Sequence, residues 1–222
     1  MFIGCTSLYN VTIENGVTSI GAGTFQGCTS LTNVTIPLSV TSIETHTFGG
    51  CTSLTNITFP ISISSIQDAA FNGCSSLKSI TVPPGVYSIG AWAFARCAKL
   101  TGVYFEGNAP YVGSNVFEDG NNATIYFLSG TTGWGPIYAD RPTALWLPQV
   151  QTSEASFGVR TNQFGFTIAW VSGRYVVVEA CTDLANPVWS AVSTNAVTAN
   201  VSYFRDSEWA DYASRFYRLR PQ

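Results

Sequence analysis

Charge is scarce in this chain: 222 residues carry 10 Lys+Arg, 13 Asp+Glu and one His, for a formal net charge of −3. Such a balance leaves no basic footprint for a phosphate backbone, so nucleic acid is excluded as a partner. Long apolar runs are also missing. No run approaches the roughly 20 residues needed to cross a bilayer, and no basic start followed by an apolar middle marks a secretory leader. The single His46 leaves no basis for a Ser-His-Asp or Cys-His site. There is no Cys-x-x-Cys pair, phosphate loop or nucleophile elbow. The chain is therefore expected to be non-catalytic, with no metal and no cofactor. Its densest carboxylates are Glu118-Asp119 and Asp206/Glu208/Asp211. They could hold calcium, but exposed loop charges, or an ion pair between Asp206 and nearby arginines, explain them more simply.

What is present is repetition. Phenylalanine stands at Phe2, Phe25, Phe48, Phe71 and Phe94; cysteine at Cys5, Cys28, Cys51, Cys74 and Cys97; leucine at Leu8, Leu31, Leu54, Leu77 and Leu100. The step is about 23 residues each time, inside the range of solenoid repeats. Phe25, Cys28 and Leu31 are spaced by three, which predicts one tight helical turn facing inward. Asn33-Val34-Thr35-Ile36 alternates, predicting a half-buried strand with Val34 and Ile36 inside. Pro37, Pro60 and Pro83 end that strand, because proline has no N–H for the ladder. Val40 and Ile43 then return to the core, as do Val17/Ile20, Ile63/Ile66 and Val86/Ile89. One repeat cannot cover its own apolar face, so stacking must complete the core. The five ladder cysteines are expected to be buried and reduced.

The pattern Ile36-Pro37-x-x-Val40-x-x-Ile43-x-x-x-x-Phe48-x-Gly50-Cys51-x-x-Leu54-x-x-Ile57 resembles the BspA-like leucine-rich repeat family of bacterial surface proteins. The match runs over roughly residues 1–105. The resemblance implies a curved stack with a parallel sheet on one side. It implies an extracellular or cell-surface location, and binding to host proteins, other cells or matrix. It implies no catalytic residues. Met1 falls at the repeat position of Thr24, Thr47, Ala70 and Ala93, so the chain begins inside a repeat and looks like a fragment or a shortened reading frame. The first repeat has no visible cap, which suggests upstream repeats or an end-to-end contact.

The expected architecture is mainly β: a leucine-rich repeat solenoid with a parallel sheet and short helical turns over residues 1–116, a degenerate last repeat and cap over 117–148, and a small antiparallel β-sandwich over 149–222. In the middle segment Gly120 replaces the cysteine, and the strand Ala123-Thr124-Ile125-Tyr126-Phe127 is displaced by one residue. Trp134 and Trp146 are expected to cover the open core. Residues 148–155 read as a linker. Beyond it, alternation marks strands at Phe164–Trp170, Arg174–Ala180, Val201–Phe204 and Arg215–Leu219. This region is similar to a C-terminal module of large exported bacterial proteins, carried by Val178-Glu179-Ala180-Cys181-Thr182-Asp183-Leu184 with Trp189 and Arg215-Phe216-Tyr217-Arg218.

The remaining functional signal is surface. Outward strand positions form uncharged files, and Asn33, Thr35, Asn56, Thr58, Ser79, Thr81 and Tyr104 are the candidate binding face. The alternative is a merely solvated sheet whose threonines serve strand propensity. The function expected is a non-catalytic protein-interaction or adhesion module of an exported bacterial protein, with an extracellular protein or glycan as partner. The competing expectation is an accessory glycan-binding module of a secreted polysaccharide-acting enzyme. An exposed row among Trp134, Trp170, Trp189 and Trp209 would favour it.

Overall fold

A computed structural model describes residues 1–119, 122–153 and 155–222, so Gly120 lies outside the described residues. The chain divides into two compact units, Met1–Trp146 and Leu147–Gln222. The first is built of rungs, each laid on the one before. Phe2, Phe25, Phe48, Phe71, Phe94 and Phe117 form one stack, with neighbouring centroids 5.3 to 5.8 Å apart and rings within 17° of parallel. Leu31, Leu54, Leu77 and Leu100 are fully buried beside it. An aromatic column of this kind gains offset ring contacts as well as area removed from water.

The cysteines have a specific place in this core. The Sγ of Cys28, Cys51, Cys74 and Cys97 each donates to the carbonyl of Phe2, Phe25, Phe48 and Phe71 on the preceding rung, at 3.1 to 3.2 Å. A small apolar side chain with one weak donor suits a site that must be both packed and satisfied. All six cysteines are free. Burial pushes the Cys51 and Cys97 thiols up to about 12 and the Cys74 thiol well above its usual range. The expectation that all five ladder cysteines are buried fails at Cys5, which is exposed. It sits on the first rung, where no neighbour covers it, and Phe2 is 48% exposed for the same reason.

The expected helical turns are hydrogen-bonded turns instead; no α-helix occurs among the described residues. Cys28 N–H closes a turn on Phe25 O at 3.1 Å, but Phe25 N–H reaches Thr47 O and Gly27 N–H reaches Gly49 O on the next rung, at 3.0 and 2.7 Å. Alternate donors thus leave the segment, and a helix cannot propagate. Gly27, Gly50 and Gly73, with φ of 72 to 75°, also take the left-handed conformation that breaks a right-handed turn.

The strands pair in parallel, residue on equivalent residue: Asn10–Thr12 on Asn33–Thr35, then Ser79–Val82 on Gly102–Phe105 on Thr124–Phe127. Gly102 pairs with Thr124, one short of the usual step, so the displaced strand is present. Between the two ladders, residues 56–59 keep Ile57 and Phe59 buried without joining either. Phe59 stands where Ile36 and Val82 stand on other rungs and packs edge-on against Phe71 at 5.7 Å. A second, narrow parallel sheet joins Ser42–Ile43, Ser65–Ile66, Ser88–Ile89 and Tyr111–Val112.

The last rung closes the stack with aromatics. Trp134 stacks on Phe127 at 5.4 Å, meets Phe105 at 4.9 Å, and donates its Nε1–H to Thr131 Oγ1. Arg141–Leu145 continues the parallel sheet and Ile137–Tyr138 finishes it antiparallel. Trp146 does not cover the core as expected. Its ring lies 4.9 Å from Tyr104, on the outward side of the sheet. It follows Ala144, which pairs with outward-facing Tyr126, by two residues, and that parity sets its side.

The second unit holds two antiparallel sheets. In one, Gln163–Ala169 is flanked by Gln149–Gln151, Gly158–Arg160 and Val201–Asp206; in the other, Tyr175–Cys181 lies between Ser190–Ala196 and Phe216–Pro221. Its core includes Phe166, Ile168, Val176, Val178 and Phe204. The segment expected to be a linker carries the strand Gln149–Gln151, whose backbone pairs with Ala169, Ile168 and Thr167.

Candidate functional site

On the strand face, Asn33, Thr35, Asn56, Thr58 and Thr81 are exposed, while Ser79 and Tyr104 are half-buried. Alternation along the strand sets this side, because Val34, Ile57 and Ile80 point into the core between them. Pairing sets the files: Asn10 opposes Asn33, Thr12 opposes Thr35, and Thr81 opposes Tyr104. The first two rungs and the fourth onward belong to separate ladders, and Asn56 and Thr58 lie between them in neither, so the seven residues do not form one continuous paired file.

The face ends in an aromatic group that sequence reasoning found only at Tyr104. Its ring stacks on Tyr126 at 4.8 Å and 10°, and tilts against Trp146 at 4.9 Å. Burial, and then the neighbouring Tyr126, raises the Tyr104 phenol above its ordinary value. Gly102 is what lets Tyr104 lie there: a Cβ at Gly102 would stand 2.8 Å from Tyr104 Cε2. The surface therefore grades from hydroxyl and amide groups to aromatic rings, and every named group is uncharged at neutral pH.

The other candidates resolve into local structure. Glu118 Oε2 accepts from Trp92 Nε1 at 2.9 Å and from Asn115 Nδ2 at 3.2 Å, and Asp119 pairs with Arg96 at 3.2 Å. Asp206 Oδ2 lies 3.0 Å from Arg215 Nε and accepts from the Tyr217 hydroxyl at 2.7 Å. Burial, and then Asp206, pushes that phenol up. The tryptophans form no exposed row: Trp170 is buried, Trp189 lies under the Arg218 guanidinium at 4.4 Å, and Trp209 donates to Asn162 O. Among the described residues, no helix is long and apolar enough to cross a membrane.

A family model described as a BspA type leucine rich repeat region matches residues 1–124 in 6 copies. A solved leucine-rich repeat protein of T. pallidum is 32% identical, with a TM-score of 0.50, over 53% of this chain and 57% of its own. A leucine-rich cell surface protein from Faecalibacterium prausnitzii is 32% identical with a TM-score of 0.38, over 48% of this chain and 35% of its own. A leucine-rich repeat protein from Bacteroides ovatus is 20% identical with a TM-score of 0.30, over 56% of each chain. The chain thus spans little more than half the length of the T. pallidum protein. No curated protein matches the chain.

Proposed function

The chain belongs to the BspA-type leucine-rich repeat family, and from that premise we propose that it is a non-catalytic protein-interaction or adhesion module of an exported bacterial protein, acting outside the cell or at its surface. The observation that carries this reading is the strand face, where a rigid rung-on-rung scaffold presents Asn33, Thr35, Asn56, Thr58 and Thr81 to solvent. A core of stacked Phe and Leu side chains fixes the backbone beneath them. Hydroxyl and amide groups offered at each rung suit an extended partner making many hydrogen bonds of about 1 kcal/mol each. The aromatic group of Tyr104, Tyr126 and Trp146 adds apolar area at one end of that face. The first rung, with Phe2 and Ile3 exposed, is a second surface on which another rung or molecule could stack. We read the second unit as a small β-sandwich appended to the repeats, supported by its two antiparallel sheets.

The test is a screen of extracellular matrix proteins beside a glycan array, followed by the variant T35K/T58K/T81K. The variant should fold, because all three side chains point to solvent. It should lose binding to the partner found. Wild-type binding should depend weakly on salt, since these files carry no charge. Unchanged binding by the folded variant would move the site off the strand face.

A further inference from the structure

The turn side of the rungs carries a cavity of about 400 Å³, lined by residues that include His46, Asp68, Ala69, Asn72, Trp92 and Glu118. It arises from one column of the repeat. Gly23, His46, Ala69, Trp92 and Asn115 hold the same position on successive rungs, and all five have φ between 51 and 64°. Rung-to-rung bonds hold this left-handed conformation, from His46 N to Asp68 O, Ala69 N to Ala91 O and Trp92 N to Ser114 O, at 2.8 to 3.0 Å. The backbone therefore keeps this conformation whether the residue is glycine, alanine or a large side chain. Nothing in the core demands an indole at position 92, where it is 43% exposed. A bulky residue in this region of φ is a strained choice.

Ala69 makes the column into a slot. His46 and Trp92 stand two rungs apart, about 10 Å at the spacing of strands, with only a methyl group between them. A ring held face-on by both walls needs about 7–8 Å. Trp92 is tethered: Glu118 Oε2 takes its Nε1–H at 2.9 Å, and the indole stays 43% exposed beside the slot. The lining includes Asp68, whose Oδ1 already accepts from the Ala91 N–H at 2.7 Å, together with Glu118 and Asn72. The Arg96 guanidinium is also there, paired with Asp119.

We propose that this slot binds one ring of a neutral saccharide. A pyranose has an apolar face for the indole and equatorial hydroxyls for the carboxylate, amide and guanidinium rim. An apolar or aromatic side chain of a peptide would strip water from Asp68 and Glu118 without replacing its hydrogen bonds. An acidic sugar would meet two carboxylates against one guanidinium already paired. The site is independent of the strand face and uses other residues.

The experiment is saturation-transfer NMR on the full chain with cellotetraose, maltotetraose, mannotetraose and chitotetraose as probes. At least one should bind with a Kd near or below about 1 mM. Trp92→Ala should weaken it by about tenfold or more. That variant keeps the fold, because Ala69 and Gly23 already occupy the same column. T35K/T58K/T81K and Trp189→Ala should bind the saccharide as the wild type does. The proposal is overturned if no tetrasaccharide binds at about 10 mM, if Trp92→Ala binds unchanged, or if N-acetylphenylalanine amide fills the slot while the sugars do not.

Discussion

The two units solve the same problem with different means. In the repeats, each core residue packs on its own copy one rung away: Phe48 on Phe25 and Phe71, Cys74 on the Phe48 carbonyl. The buried ladder of Phe, Cys and Leu carries no charge. In the second unit no residue repeats, and charge is brought inside. Asp206 and Arg215 face each other with side chains only 6% and 8% exposed, and the nearly buried Glu179 accepts from Arg218 at 2.7 Å and Arg220 at 3.0 Å. A periodic core needs only a repeated shape, whereas the two antiparallel sheets of the second unit have charged pairs tying their strands into one arrangement. Here those pairs tie Tyr175–Cys181 to Phe216–Pro221, and the end of Val201–Asp206 to the residues just before that last strand. Removing one member of such a pair leaves the other charge buried without its partner.

The sharpest way to test this contrast is to break the stack. Phe71 is fully buried between Phe48 and Phe94, with Phe59 on its edge. Phe71→Ala should destabilise the repeat unit by about 3–5 kcal/mol. Denaturant unfolding followed by a probe in each unit should show the first transition moving and the second staying put. If both moved together, the units would not be separate in their energetics.

The repeats were legible because seven apolar positions keep one step, and that step alone placed Phe, Cys and Leu inside. Alternation then placed Asn33 and Thr35 outside. Three things escaped. Cys5 repeats like the others, but burial is a property of having a neighbour, which the pattern does not encode for the first rung. Trp146 is expected on the core because an open array end must be covered, but its side is set by the pairing of Ala144 with outward-facing Tyr126, which the pattern does not encode. The slot was hidden because His46, Ala69 and Trp92 differ chemically. They look like a variable position until φ shows them to be one structural column. In the second unit, alternation found the strands with apolar faces. It missed Ser190–Ala196, which is largely exposed and offers mostly small or polar side chains, and Gln149–Gln151, which offers only Val150.

A smaller effect separates the units by pH. Hydrogen bonds from Arg218 and then Arg220 hold the Glu179 carboxyl below its ordinary 4.5. A depressed carboxylate contributes stability that is present above the unfolded value and is lost as pH falls through the folded one. The second unit should therefore weaken on acidification below about pH 4.5, and Glu179→Gln should flatten that slope. The thiols that titrate in the repeat core are raised, not lowered, so they add no loss in acid. An identical acid slope in Glu179→Gln would remove Glu179 from the account.

The smallest expected effect lies inside the repeats and compares a glycine file with its own exceptions. Gly4, Gly27, Gly50 and Gly73 occupy one turn position with φ of 67 to 75°, and Arg96 and Asp119 continue it at 58 and 55°. A Cβ at Gly50 or Gly73 would find only ordinary van der Waals distances of 3.7 Å, so conformation rather than space favours glycine. For a residue with a Cβ, this conformation costs roughly 1–2 kcal/mol. The compensating ion pair between Arg96 and Asp119 is exposed and worth at most about 1 kcal/mol. Arg96→Gly should therefore leave the repeat unit as stable as before or up to about 2 kcal/mol more stable. It should also weaken saccharide binding in the slot, whose rim loses its guanidinium. A variant that gains stability while losing the ligand would show why arginine stands where glycine fits the backbone better. A variant that loses stability would mean that the Arg96–Asp119 pair holds the last rungs together, and the strain argument at this position would fail.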